Sequence, residues 1–79
     1  MALLIDVTPT GDSWRVHSEV LVDDLTFDRG GRAEAAARAL ASRYAASGFG
    51  AEVRIFLKDG AMAGRFLHPA GGQPERLAG

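Results

Sequence analysis

The chain has no cysteine among its 79 residues. Without thiols, neither disulfides nor thiolate zinc sites can support a core that is small at this length. Its first segment, MALLIDVTPTGD, lacks the basic start and the continuous apolar run of a secretory signal or a membrane span. We therefore expect one cytoplasmic domain with no membrane contact, held together by packing, with self-association as a further way to bury surface.

Neither acidic nor basic side chains are in large excess, since the formal net charge is −1. Residues 1–28 hold six acidic side chains and one arginine, whereas residues 29–79 hold eight basic and four acidic side chains. The small net charge removes the strong electrostatic argument for nucleic acid. The two halves either neutralise each other within one folded monomer or offer complementary surfaces to a dimer.

Alternating side chains predict strands before a single helical segment. Leu3, Ile5 and Val7 share one side of a first strand, and SWRVHSEVLV continues as a second strand after a turn. A short third strand is predicted in LTFD, with Leu25 and Phe27 directed inward.

The helix is predicted over residues 32–47, where apolar side chains recur at helical spacing. Gly31 is the predicted N-cap, and Gly48 fits the left-handed position after the last turn, which places Phe49 over Tyr44. We place Leu40 at the centre of the core. The predicted sheet-facing side consists of Ala33, Ala36, Ala37, Leu40 and Tyr44.

A hairpin is predicted in VRIFLKDGAMAGRF, residues 53–66, because Asp59-Gly60 is a strong two-residue turn. Counting outward from that turn places Arg54 opposite Arg65 on the outer side of the sheet. The same register directs Leu57 and Met62 toward the core. The remaining predicted pairs are Val53 with Phe66, Ile55 with Gly64, Phe56 with Ala63, and Lys58 with Ala61.

These segments together predict an α+β domain over residues 1–68. We expect an antiparallel sheet of four or five strands with one α-helix packed on one face, in the order β-β-(β)-α-β-β. Residues 69–79 have little apolar surface, so we expect a disordered C-terminal tail.

Three segments follow one another along the chain: the WRV of residues 14–16, the RAEAAARALA of residues 32–41 and the Asp-Gly hairpin of residues 53–66. In these segments the chain resembles a group of small bacterial proteins classed as a domain of unknown function. The resemblance covers about residues 13–68 and implies a small domain of strands, helix and hairpin. It implies no catalytic residue.

No constellation in the sequence predicts catalysis, so we expect no enzyme activity, no cofactor and no metal. The serines lie in no nucleophile context, and His17 and His68 are far apart without a carboxylate at metal-ligand spacing. The DRGGR segment at residues 28–32 is most simply the bend before the helix, although the helix N-terminus beside it favours anions.

The facing arginines are the strongest candidate for a site. Either water and Glu52, diagonally opposite Arg65, screen them, or a phosphate or a partner's carboxylate bridges both guanidinium groups. The favoured function is a homo-oligomeric or protein-interaction module, with a second copy of the chain or another protein as partner. The alternative is a nucleic-acid or polyanion-binding module that uses the outer face of the sheet. The candidate residues are Arg54, Arg65, Phe56, Lys58, Arg29 and Arg32.

Overall fold

A computed structural model describes residues 2–72 and 75–77 of the chain. Those residues form six strands and one helix. In chain order the elements are β1 (Leu3–Thr10), β2 (Ser13–His17), β3 (Leu25–Phe27), α1 (Gly30–Ala46), β4 (Ala51–Phe56), β5 (Met62–His68) and β6 (Glu75–Leu77).

The strands of the described residues form one sheet in the order β3-β2-β1-β4-β5-β6. The central strands β1 and β4 are parallel, and all other neighbours are antiparallel. The predicted α+β class is confirmed, and so is the order β-β-β-α-β-β of the first six elements, including the short third strand; β6 adds a strand after them. The central pair is the one departure from an antiparallel sheet. It arises because α1 carries the chain from β3 at the edge back to the centre, where β4 runs in the direction of β1.

The core lies between α1 and one face of the sheet, and α1 contributes alanines to it. Ala33, Ala37 and Ala41 are fully buried at four-residue spacing. The predicted centre of the core is wrong, because Leu40 is only partly buried and packs against the margin of this cluster. An alanine stripe lets the helix backbone approach the sheet closely, and a leucine in its centre would hold the two apart. The sheet contributes Ile5, Val7, Val16, Ala51 and Val53.

The helix begins two residues earlier than predicted. Arg29 is the N-cap in extended conformation, and its side chain makes no capping hydrogen bond, so the predicted cap at Gly31 is wrong. At this end of the helix the indole of Trp14 packs against Gly30. A Cβ at position 30 would lie 2.9 Å from Trp14 Cε2, closer than real Cβ contacts. Only glycine therefore accommodates this approach of helix and indole.

The C-terminal end of α1 confirms the prediction. Gly48 has φ 96°, and the Phe49 amide donates to the Tyr44 carbonyl at 2.8 Å. The Gly48 amide donates to the Ala45 carbonyl at 3.0 Å, which completes a Schellman ending. The rings of Tyr44 and Phe49 meet edge to face at a centroid distance of 6.4 Å.

The β4–β5 hairpin has the predicted register only up to Ile55. A bulge follows, so that Phe56 pairs with Met62 instead of Ala63. The predicted inward position of Leu57 is wrong, since this side chain is 49% exposed. Leu57 follows the last residue of β4 and belongs to the turn, where its amide donates to the Ala61 carbonyl at 2.8 Å. The extra residue on β5 pairs Met62 with the outward Phe56, so the predicted inward position of Met62 is wrong as well. The confirmed pairs are Val53 with Phe66, Arg54 with Arg65, and Ile55 with Gly64.

The segment predicted as a tail contains a turn and a short strand. The Gly71 amide donates to the Ala45 carbonyl at 3.0 Å, at the end of α1. Glu75–Leu77 then forms β6 beside β5. Residues 73, 74, 78 and 79 of the predicted tail lie outside the described residues. In the part of the chain that the structure describes, no helix has both the length and the apolar character needed to cross a membrane.

Candidate functional site

The side of the sheet opposite α1 carries the facing arginines. Arg54 on β4 lies directly across from Arg65 on β5, as predicted. Their neighbours Val53 and Gly64 are buried toward the helix, so both arginines point away from it. We call this side the open face and define it by the outward side chains of Leu4, Asp6, Glu52, Arg54, Phe56, Arg65 and Leu67.

Arg54 is held by a carboxylate from the neighbouring parallel strand. Arg54 Nε donates to Asp6 Oδ1 at 2.7 Å, and Nη2 donates to Oδ2 at 2.8 Å. The two side chains are 29% and 24% exposed, so the pair is shielded from water on most of its surface. The hydrogen bond from Arg54 to Asp6 raises the pKa of Arg54 above its ordinary value. This geometry is the bidentate one that suits guanidinium and carboxylate groups.

Arg65 is held by Glu52 from β4, the residue that the sequence places diagonally opposite. Arg65 Nε donates to Glu52 Oε2 at 3.1 Å, and Nη2 donates to Oε1 at 3.3 Å. The distances are longer than those of the Arg54 pair, so this contact is the weaker of the two. Each arginine therefore has its own carboxylate, and the central charges of the open face sum to zero.

Apolar side chains surround these ion pairs. Leu4 is 43% exposed at the start of β1. The Arg54 guanidinium carbon lies 5.6 Å from the centre of the Phe56 ring, within the range of a cation–π contact. Phe56 is half-buried and so presents only part of its ring to solvent. The open face thus carries two ion pairs of zero net charge at its centre, with apolar side chains around them.

A shallow groove of about 540 Å³ crosses one side of the open face, beside β2. Leu4, Asp6 and Arg54 line it together with His17 and Glu19. His17 does not stand alone. Its Nδ1 lies 2.6 Å from Asp24 Oδ1, and Arg15 Nε lies 3.3 Å from the other oxygen of that carboxylate.

The remaining predicted candidates lie away from this centre. Arg29 and Arg32 are at the N-terminal end of α1, and Lys58 is in the turn between β4 and β5. All three are exposed. The structure therefore brings together Arg54, Arg65 and Phe56, and places the other three candidates at the end of the sheet where α1 begins.

His68 is a polar group whose burial the sequence does not reveal. It is 1% exposed, and its Nδ1 lies 3.4 Å from Ser42 Oγ on α1. Within the described residues its Nε2 has no hydrogen-bond partner. Burial lowers the pKa of His68, and the charge of Arg38 lowers it further. The alternation of β5 is the signal that could have placed His68 on the side of Phe66, beneath the helix.

Among the described residues, no third group orients His68 toward Ser42. A base that activates a serine is normally oriented by a third group on its other nitrogen. In the described part of the chain that nitrogen has no partner. Residues 2–72 and 75–77 also contain no group of three or more His, Asp or Glu side chains arranged to hold a metal ion.

Comparison with known proteins adds no relative, because no protein-family model, no curated protein and no solved structure matches the chain.

Proposed function

We propose that the chain is a non-catalytic protein-interaction module of the cytoplasm whose open face binds a protein partner. The observation that carries this proposal is the pairing of both central arginines within the chain. Arg54 is neutralised by Asp6 and Arg65 by Glu52. A balanced face exerts little net attraction on a polyanion, whereas it suits a protein surface that offers mixed polar and apolar contacts.

The apolar residues of the open face supply the contact area for such a partner. Leu4, Phe56 and Leu67 surround the ion pairs, and α1 covers only the opposite side of the sheet. Burial of partly exposed apolar side chains around satisfied ion pairs favours association without breaking those pairs. A second copy of the chain, with Phe56 at the contact, is one partner of this character.

Polyanion binding is the less favoured alternative. It requires Arg54 and Arg65 to exchange carboxylates at hydrogen-bond distance for phosphates. The bidentate geometry of the Arg54 pair opposes that exchange. The resemblance to small bacterial domains of unknown function stays a prediction and supplies no residue for either function.

A photo-crosslinking amino acid at position 4 tests the proposal in cells. We expect a discrete crosslinked protein whose yield falls several-fold when Phe56→Asp is added. The matched control Ala39→Asp introduces the same charge on the exposed side of α1 and leaves the yield unchanged. Mass spectrometry of the product distinguishes a second copy from another protein. A product that is insensitive to Phe56→Asp, or a crosslink to nucleic acid, would refute the proposal.

A further inference from the structure

The last residue of β5, His68, lies buried beneath the C-terminal part of α1. It is 1% exposed, and it pairs with Ala51 at the start of β4. Its Nδ1 lies 3.4 Å from Ser42 Oγ, which is long for a hydrogen bond. Within the described residues its Nε2 has no partner. A neutral imidazole is tolerated in this position, whereas an imidazolium would hold two N–H donors and a positive charge away from water.

The charged group that acts on His68 opposes an imidazolium further. Burial is the larger cause of the lowered pKa of His68, and the positive charge of Arg38 on α1 adds to it. Glu34 on the same helix is bound to Arg38, with 3.6 Å between Oε2 and Nη1. The facing residue of β4 is Ala51, which carries no charge. Among the described residues, no carboxylate lies within hydrogen-bond distance of the imidazole to compensate a positive charge.

The turn at residues 69–72 follows His68 and lies against the end of α1. The Gly71 amide donates to the Ala45 carbonyl at 3.0 Å, and in the described part of the chain this is the hydrogen bond that joins the turn to α1. A cleft of about 420 Å³ lies between the turn and the helix, and its lining includes Gly71, Gly72, Ser42 and His68. A turn held by one hydrogen bond beside a cleft can open without unfolding the sheet.

We propose that protonation of His68 releases the turn at residues 69–72 from the end of α1, while the remainder of the fold stays intact. Release admits water to the imidazole, so that the imidazolium gains the hydration that the closed form denies it. The open form therefore binds the proton more tightly than the closed form does, and acid shifts the population toward the open form. The closed form is favoured above about pH 6.5, the ordinary pKa of histidine, and its population falls as the pH drops below that value.

This acid-sensitive turn goes beyond the proposed function because it uses a different side of the sheet. His68 and Gly64 are both buried on the side of β5 that faces α1, whereas Arg65 and Leu67 alternate with them and belong to the open face. Release of the turn leaves the open face unchanged. The two proposals can therefore fail separately.

Amide hydrogen exchange tests the release. It is measured by NMR from about pH 7.5 to about pH 5 and corrected for the intrinsic exchange rate at each pH. We expect the protection factor of the Gly71 amide to fall below about pH 6.5, by up to about tenfold per pH unit, the limit for uptake of one proton. The Gly48 amide is the internal control, because it donates to the same Ala45 carbonyl at 3.0 Å but belongs to the helix ending. Its protection factor should stay constant.

Three variants identify the group that takes up the proton. His68→Gln keeps a neutral polar side chain at every pH, so the protection factor of Gly71 should no longer depend on pH. The exposed His17→Gln is the matched control and should retain the wild-type decline. Arg38→Gln keeps His68 and should reduce the decline, because a positive charge no longer disfavours the imidazolium in the closed form. Circular dichroism establishes that each variant is folded.

Three results would overturn the release of the turn: a Gly71 protection factor that is independent of pH in the wild type, a parallel decline at Gly48, or the same decline in His68→Gln. If His68→Gln does not fold, Arg38→Gln decides, and a decline of undiminished size in that variant overturns the proposal.

Discussion

The carboxylates of Asp6 and Glu52 balance the charge of the open face, and Asp6 contributes more than Glu52 does. Its two oxygens bind Arg54 at 2.7 and 2.8 Å, so the charge of Arg54 is neutralised where this arginine lies opposite Arg65. Without Asp6, two arginines would face each other across β4 and β5 with Glu52 as their common counter-ion. Stability and charge balance at this site therefore depend on the same side chain.

Asp6→Asn should lower the free energy of unfolding by about 1–2 kcal/mol, because a charge-assisted bidentate contact is lost and the arginines repel. Urea denaturation measures the change, with the exposed Asp12→Asn as control. Adding Arg54→Gln should recover part of the loss, since it removes the repulsion. Additive effects of the two substitutions would contradict a direct contact.

The buried imidazole of His68 should make stability depend on pH. Its pKa is lowered in the folded chain, whereas the unfolded chain titrates near the ordinary value of about 6.5. Below that value the unfolded state binds more protons than the folded state, so stability is complete above about pH 6.5 and falls as the pH drops toward the folded-state pKa.

Urea denaturation over a pH series measures this slope. His68→Gln should remove it, and the exposed His17→Gln should retain a slope of this sign. The same decline with acid in the wild type and in His68→Gln would show that His68 is not its source.

At the level of the helix, α1 depends on small residues that allow close approach to the sheet. The buried side of α1 is an alanine at every fourth position, and its first turn packs a glycine against Trp14. Close packing of this kind tolerates added volume poorly. On the buried side of α1 we therefore expect a larger side chain to destabilise the fold. On a helix whose buried side chains are leucines, a smaller side chain is the more harmful change.

Gly30→Ala should destabilise the fold by about 1–3 kcal/mol, because the added methyl overlaps the Trp14 indole. Gly31→Ala is the matched control, since a Cβ at that position meets no atom within 4 Å. In the helix this control should be neutral or stabilising by up to about 1 kcal/mol. Thermal unfolding distinguishes the two, and equal effects would contradict the contact with Trp14.

Ala37→Leu should destabilise more than Leu40→Ala. The leucine at position 37 must force α1 away from the sheet, at a cost of about 1–3 kcal/mol or more. Truncation of the partly buried Leu40 should cost about 1 kcal/mol, below the range for a core leucine. If Leu40→Ala lowered the free energy of unfolding by several kcal/mol, Leu40 would lie at the centre of the core after all.

Sequence reasoning succeeded where contacts are local. The pairing of Arg54 with Arg65 follows from counting outward from one turn, and the Schellman ending follows from Gly48. The bulge beyond Ile55 could not be predicted by counting from the turn, because the alternation of side chains in the sequence continues through it. Asp6 was missed for a different reason. Its contact with Arg54 depends on the parallel pairing of β1 and β4, which local patterns do not encode.

Considered as a whole, the molecule joins its two oppositely charged halves by one ion pair among the described residues. Asp6 belongs to the acidic half and Arg54 to the basic half. The other ion pairs of the described residues lie within one half, as for Arg65 with Glu52. Much of the complementary charge thus stays at the surface, where it can guide association between molecules.

Retention on immobilised heparin, followed over a salt gradient, tests most directly whether the open face is a balanced protein-binding surface. The wild type and the double variant Arg54→Gln/Arg65→Gln are compared after circular dichroism has shown both to be folded. Because Asp6 and Glu52 already neutralise the two arginines, we predict weak retention and elution of both proteins at the same salt concentration. Strong retention of the wild type that is lost in the double variant would contradict this account and identify the open face as an anion-binding site.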